Sequence, residues 1–372
     1  MTTTSLSIRS GDGTYSVDEF GSLGEALRSI TAGDRSVYLV DEDFAAIHAQ
    51  ELVPALPGGR TIKVIASESA KSLEALAPLV CRLLELGIRR DGTIVVVGGG
   101  TLQDIGCFIA SVLFRGVAWE LLPTTLLAQA DSCIGSKSSI NVGTYKNQVG
   151  TFYPPRRVLL VPRVLSTLPW DEVRSGLGEV IKLQLLAGEG GFRELMADLG
   201  RLQLEPALLA KWIRRSLEVK KQFIETDEYD QGLRNLLNYG HTFGHAYESA
   251  THYAVPHGIA VILGMLTATR LSASLGLVAW SHYEELRALL GPWYRPYGAR
   301  LGVASREEIV RAIRMDKKNS SNAVNAILTL GFGKMEKRAV DLDAEVVPVV
   351  RDFIAEETAI QSGAREVLHC NE

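Results

Sequence analysis

The chain has 372 residues, with 39 Lys+Arg against 43 Asp+Glu, a formal net charge of −4, 46% hydrophobic residues and 22% charged residues. So many apolar groups exclude a disordered chain, and the near balance of charge excludes a general binder of nucleic acid or anionic membrane, which needs a basic excess. The length suits two domains, each able to bury its own core.

Elements follow in chain order. The polar start, MTTTSLSIRSGDGTYS, lacks the apolar stretch of a signal peptide, and no apolar run reaches the roughly 20 residues that span a bilayer. The four cysteines form no Cys-x-x-Cys pair, which fits a reduced cytoplasmic protein better than a disulfide scaffold or a thiolate zinc site. Short β-branched runs at 36–41, 61–66, 93–97, 119–122 and 158–161 alternate with helical patterns at 72–86 and 104–113. That alternation predicts a parallel sheet covered on both faces. After Leu165 the strand signal fades, and 171–186, 206–226, 244–251, 258–275, 281–290 and 306–315 read as helices. The expected organisation is an α/β Rossmann-like domain over 1–166, a mostly helical domain over 167–360, and a loose tail over 361–372.

Four segments carry candidate chemistry. A strand runs into Gly98-Gly99-Gly100 and then a helix, an arrangement that lets backbone amides meet a phosphate. A tight structural turn explains the glycines equally well, and the spacing is not G-x-G-x-x-G. Residues 131–147, rich in Gly, Ser, Lys and Asn with no helix or strand period, read as a binding loop or a solvated one. Arg234, Asn238, His241 and His245 step by four, three and four, so a continuous helix would align them on one face. Four of the seven histidines fall between 241 and 257. Neutral imidazoles suit Zn²⁺ or Co²⁺, and Glu179, acidic within an apolar helical pattern, is the natural oxygen ligand. Surface or hydrogen-bonded core histidines are the alternative, which is retained for His252.

These segments occur in an order and spacing that resemble the 3-dehydroquinate synthase family of sugar phosphate cyclases. The motifs are Glu68-x-x-Lys71, GGG…D at 98–104, FRG at 114–116, PTTLLAQ…D at 123–131, GxK…KN at 135–147, GEVIK at 178–182 and LRNLLNYGHTFGHA at 233–246, with His257 following. The resemblance implies an NAD- and metal-dependent lyase of dehydroquinate-synthase-like fold. Such an enzyme takes 3-deoxy-arabino-heptulosonate 7-phosphate to 3-dehydroquinate by transient oxidation, β-elimination of phosphate, reduction and intramolecular aldol closure, a step of the shikimate pathway.

The resemblance also implies roles. Glu179, His241 and His257 would bind Zn²⁺ or Co²⁺. Gly98, Gly99 and Gly100 would take the NAD pyrophosphate, with Asp41, Glu68, Lys71, Asp104, Thr124, Thr125 and Lys146 around the rest of the cofactor. Lys137, Asn147, His245 and Lys317 would hold the substrate phosphate, with Arg115 reaching in from the second subunit of a homodimer. Lys220 and Arg234 would clamp a carboxylate, and Asp131, Lys182 and Asn238 would touch the hydroxyls near the metal. Gln103, Ser136, Ser138-Ser139 and Ile259 depart from the family pattern. The departures leave room for an aminated version of the same substrate, or for a cyclase of sedoheptulose 7-phosphate or glucose 6-phosphate. A metal-dependent polyol dehydrogenase and a catalytically silent relative complete the alternatives.

Overall fold

The computed structural model describes residues 4–11, 13–30, 35–143, 145–203, 205–302, 304–315 and 322–369, with side chains from 5 to 358. Lys317 and Cys370 therefore lie outside the described residues. The chain divides into two units: Met1–Val173 with Arg201–Tyr229, and Arg174–Gly200 with Asp230–Glu372. The sequence places a single boundary at 166/167. It misses the return because nothing in the amphipathic pattern of 206–226 records which core that helix covers.

In the first unit a seven-stranded sheet has the order β1-β2-β9-β6-β5-β3-β4. The strands are β1 (Thr4–Ser10), β2 (Gly13–Glu19), β3 (Ser36–Asp41), β4 (Thr61–Val64), β5 (Thr93–Gly98), β6 (Ala118–Pro123) and β9 (Arg157–Leu160). All neighbours are parallel except β1 and β2. β3 and β5 are apolar at nearly every position because both faces of a central parallel strand are covered. From β3 the chain steps outward to β4, then returns to the other side of β3 as β5. That reversal is where open α/β sheets bind ligands, beyond the carboxyl ends of the strands. A small antiparallel pair, β7 (Ile140–Val142) and β8 (Tyr145–Val149), lies within the segment expected to be structureless.

Three helices of this unit matter here. Ser72 caps α1 (Leu73–Glu85), accepting from the Ala75 amide at 3.3 Å. α2 (Gly100–Val112) leaves the carboxyl end of β5. α3 (Trp170–Ala187) starts at the end of the first stretch of this unit and belongs to the second unit from Arg174 onward, and α4 (Pro206–Thr226) packs Leu209, Trp212, Ile213, Leu217 and Ile224 inward in the first.

The second unit also holds α5 (His241–Ala250), α6 (His257–Ser274) and α7 (Val347–His369). α6 is buried along most of its length, which accounts for its apolar surface on every side. A hairpin, β10 (Ala323–Thr329) with β11 (Met335–Asp341), adds two strands to the mostly helical domain expected there. The expected tail is also corrected: α7 continues through 361–369, its backbone carried on by helix-favouring residues.

Candidate active site

At the mouth of β5, Gly99 begins α2 with an extended backbone and no side-chain cap, so the first amides of the helix point outward. A Cβ on Gly98 would fall 2.7 Å from the Leu102 side chain, and one on Gly99 would fall 2.8 Å from the Thr125 methyl. A Cβ on Gly100 would meet nothing nearer than the Ser132 hydroxyl at 3.8 Å. Packing within the protein thus explains the first two glycines but not the third, which leaves space above the helix terminus. A dinucleotide pyrophosphate fits that combination of positive dipole end and open room. Gly100→Ala is expected to melt like the parent while weakening NAD at least about tenfold, read by calorimetric titration; unchanged NAD affinity would remove this turn from the cofactor site.

Around the turn, Lys71 pairs with Asp104 at 2.7 Å, and Ser139 donates to Asp104 from its amide at 3.1 Å and its hydroxyl at 3.0 Å. Burial raises the Asp104 pKa, with Lys71 and Ser139 pulling against it. Asn141 donates to Glu68 Oε1 at 2.8 Å and accepts from the Asn147 amide at 2.8 Å, while Lys146 Nζ lies 3.6 Å from Glu68. The segment read as a binding or solvated loop is therefore tied to Asp104 and Glu68 by its own polar residues. Thr124 donates its amide to Gly98 O at 3.1 Å, and Thr125 Oγ1 accepts from Ala128. Asp41 accepts from the Phe44 amide at 3.0 Å, so in this structure it caps the helix that follows β3.

Lys220, 8% exposed, donates to the Asp131 carbonyl at 2.7 Å and pairs with its carboxylate at 2.5 Å. Lys137 is exposed, with its ammonium 5.7 Å above the Phe152 ring. Arg115 and Asn147 are exposed, and both adopt left-handed backbone, at φ 67° and 54°. Two departures have partners of their own. The Gln103 amide donates to Ser132 O at 2.6 Å and accepts from its hydroxyl at 2.7 Å. Ser136 takes the φ of 65° that suits glycine, and its hydroxyl donates to Glu228 at 3.3 Å.

In the second unit, three chain segments deliver one donor set. Glu179 of α3 is 1% exposed. Its Oε1 lies 3.4 Å from His241 Nε2 and 3.2 Å from His257 Nε2. Each imidazole is held by its other nitrogen, His241 Nδ1 at 3.3 Å from Tyr239 O and His257 Nδ1 at 3.2 Å from Glu248 Oε1. One carboxylate and two imidazoles whose ligand atoms lie within 4.8 Å of one another, each ring oriented from behind, suit a divalent cation of the Zn²⁺ or Co²⁺ type. Burial and the neighbouring Lys182 hold His241 well below its usual pKa. Burial also opposes charge on His257, but its bonds to Glu179 and Glu248 outweigh this and push it up to about 10. Lys182, 2% exposed, forms an ion pair with Glu179.

Glycines adjoin all three members of the donor set. A Cβ on Gly178 would fall 2.1 Å from Gly258 O, and one on Gly258 would fall 1.7 Å from Ser175 O. Gly240, at φ 81°, would bring a Cβ within 2.7 Å of Val261 O. Gly240 also breaks the expected helix: Leu233–Asn238 is a 3-10 turn, Tyr239 is extended, and α5 starts at His241. The stripe Arg234–Asn238–His241–His245 is therefore not one helix face. Arg234 is buried at 4% exposure, Asn238 donates to Asn235 O at 3.0 Å, and His245 is exposed with its ring 5.3 Å from that of His241. Glu248 is the residue sequence reasoning did not assign; it lies two turns beyond His241 on the same helix, which was the available signal.

A Rossmann-like unit with an uncapped glycine turn at a helix N-terminus, joined in sequence to a unit bearing a carboxylate and two imidazoles, has the parts of a dinucleotide- and metal-dependent enzyme. The family models 3-dehydroquinate synthase N-terminal and 3-dehydroquinate synthase C-terminal match residues 61–175 and 176–319. The chain is 37% identical over 342 residues to a 3-dehydroquinate synthase of Xanthomonas oryzae pv. oryzae (strain MAFF 311018), covering 88% of this chain and 90% of that one. A 2-deoxy-scyllo-inosose synthase solved with carbaglucose-6-phosphate, NAD⁺ and Co²⁺ superposes with a TM-score of 0.84 at 25% identity, covering 94% of this chain and 99% of the other. The fold is shared with the 2-epi-5-epi-valiolone synthase of Streptomyces hygroscopicus subsp. jinggangensis 5008, solved with NAD⁺ and Zn²⁺, at a TM-score of 0.75 and 23% identity over 93% of this chain and 97% of that one. The chain belongs to the 3-dehydroquinate synthase family.

Proposed function

We propose that this protein converts 3-deoxy-arabino-heptulosonate 7-phosphate to 3-dehydroquinate with release of inorganic phosphate. The observation that carries the reading is the Glu179, His241, His257 donor set, in a chain 37% identical to a 3-dehydroquinate synthase. Bound NAD and a divalent cation, Zn²⁺ or Co²⁺, would supply reversible oxidation of a ring hydroxyl and polarisation of its oxygen. The chain's own residues bind and orient the sugar. In the first unit, Lys137 and Asn147 would hold the phosphate, Lys220 the carboxylate and Asp131 a hydroxyl. In the second, His245 and Lys317 would hold the phosphate, Arg234 the carboxylate, and Lys182 and Asn238 the hydroxyls. The burial of Lys220 and Arg234 supports an acidic substrate, because a cation shielded from water attracts a carboxylate more strongly than an exposed one.

The test is phosphate release from a panel of 3-deoxy-arabino-heptulosonate 7-phosphate, its aminated counterpart, sedoheptulose 7-phosphate and glucose 6-phosphate, with NAD⁺ and Zn²⁺. The expected result is release from the first without net accumulation of NADH. No release at full metal loading, or NADH accumulating with a simple polyol, overturns the proposal. Among the described residues no helix is long and apolar enough to cross a membrane. The proposed setting is cytoplasmic and the proposed assembly a homodimer to which Arg115 contributes, to be read by light scattering of the full chain.

A further inference from the structure

We infer that Glu248 is a positioning residue for the cation site: it fixes which nitrogen of His257 faces the donor set. The inference rests on the metal reading above. An imidazole in its neutral form carries one N–H and one lone pair, while a carboxylate only accepts. His257 stands between two carboxylates, with Nε2 3.2 Å from Glu179 Oε1 and Nδ1 3.2 Å from Glu248 Oε1. When Nδ1–H donates to Glu248, the lone pair is left on Nε2, the nitrogen beside Glu179 and His241. A negative partner behind the ring also makes that lone pair a better donor.

Glu248 is well placed to hold this geometry. It lies on α5, two turns after His241, with its side chain 13% exposed. Its carbonyl accepts the Tyr253 amide at 2.8 Å and the Thr251 hydroxyl at 3.3 Å. His252 and Tyr253 both take left-handed backbone, at φ 50° and 63°, and so wind the chain back toward α6. One residue thus secures the turn through its backbone and the first residue of α6 through its carboxylate. His241 has a different arrangement, since its Nδ1 faces the neutral carbonyl of Tyr239. The two imidazoles are therefore oriented by partners of unlike charge, and only His257 depends on an ionisable one.

His245, Glu248 and His257 also bring ligand atoms within 4.8 Å of one another, so a competing arrangement has Glu248 as a direct ligand. The experiment separates the two. Metal-free parent, Glu248→Gln, Glu248→Ala, Glu179→Gln and His245→Ala are titrated with Zn²⁺ against a chromophoric chelator, and the Co²⁺ forms are examined by visible absorption. Glu248→Ala is expected to bind Zn²⁺ about 10–100-fold more weakly, with its Co²⁺ bands displaced. Glu248→Gln keeps an acceptor for Nδ1–H and loses the charge, so its affinity falls between parent and Ala. If Ala disturbs folding, the Gln variant still decides through its Co²⁺ spectrum and affinity. Parent-like affinity and spectrum in both Glu248 variants overturns the inference while leaving the donor set intact. Loss of binding in His245→Ala with none in Glu179→Gln overturns it differently, making Glu248 a ligand and moving the cation out of the proposed set.

Discussion

Glu179→Gln is expected to leave a folded protein without its cation, with metal content after dialysis at background and phosphate release lower by at least about 10³. This exceeds the roughly 10–100-fold cost of losing an outer partner of a ligand, because the substitution removes the one anion that both imidazoles face, at 3.4 and 3.2 Å. An amide is nearly the same size, so packing around a side chain 1% exposed is preserved. What goes is the charge that balances a divalent ion and that faces the buried ammonium of Lys182. Elemental analysis and phosphate assay provide the two readouts, with circular dichroism confirming the fold. His241→Asn serves as a second arm. A Glu179→Gln protein that keeps one tightly held Zn²⁺ would exclude Glu179 as a ligand.

The second large effect concerns a residue that has no side chain to offer a cation. Gly258→Ala is expected to cost about 3 kcal/mol or more, beyond the usual range for overpacking, because the new Cβ lands 1.7 Å from the Ser175 carbonyl, main-chain matter that cannot rotate away. Relief requires α3 and α6 to separate, and these helices carry Glu179 and His257. Metal–ligand distances fall within about 0.2 Å of their ideal values, and helices pushed apart would move Glu179 and His257 beyond that range, so Zn²⁺ affinity should collapse with stability. Urea denaturation and Zn²⁺ titration check this. Gly190→Ala is the control, since its Cβ meets nothing within 4 Å. A parent-like urea midpoint and affinity for Gly258→Ala would show that the helices are not in the contact described.

The parts of the fold that could be read from the sequence are those where one physical signal dominates. β3 and β5 are short, valine-rich apolar runs, and both lie within a residue of where that pattern puts them. α4 begins at a proline and keeps an apolar stripe along its length. The β1–β2 hairpin was missed because its inward positions, among them Ile8, Tyr15 and Val17, are few and separated by Ser, Thr and Arg, so the alternation is faint. β7–β8 was missed for a related reason: a polar five-residue strand such as YKNQV has no buried face to announce it. At the metal site, spacing put His241 and His245 on one helix but does not distinguish them. The family resemblance assigns them different tasks, and the structure turns His241 toward Glu179 and leaves His245 exposed. Glu248 escaped notice because a lone acid on an amphipathic helix reads as solvated surface.

The return of Arg201–Tyr229 to the first unit has a bearing on biosynthesis. When residue 173 leaves the ribosome, the sheet has all its strands, yet the surface that Trp212, Ile213 and Leu217 will cover is still bare, and Asp131 lacks the Lys220 ammonium. At about 5–20 residues per second, the missing helix arrives roughly 3–10 s later. Throughout that interval the nascent chain exposes apolar surface, and the intervening Arg174–Gly200 must wait in turn for Asp230 onward before its own unit can close. The two units are thus interleaved in time, and a fragment cut at the apparent domain boundary near 170 would contain neither of them whole.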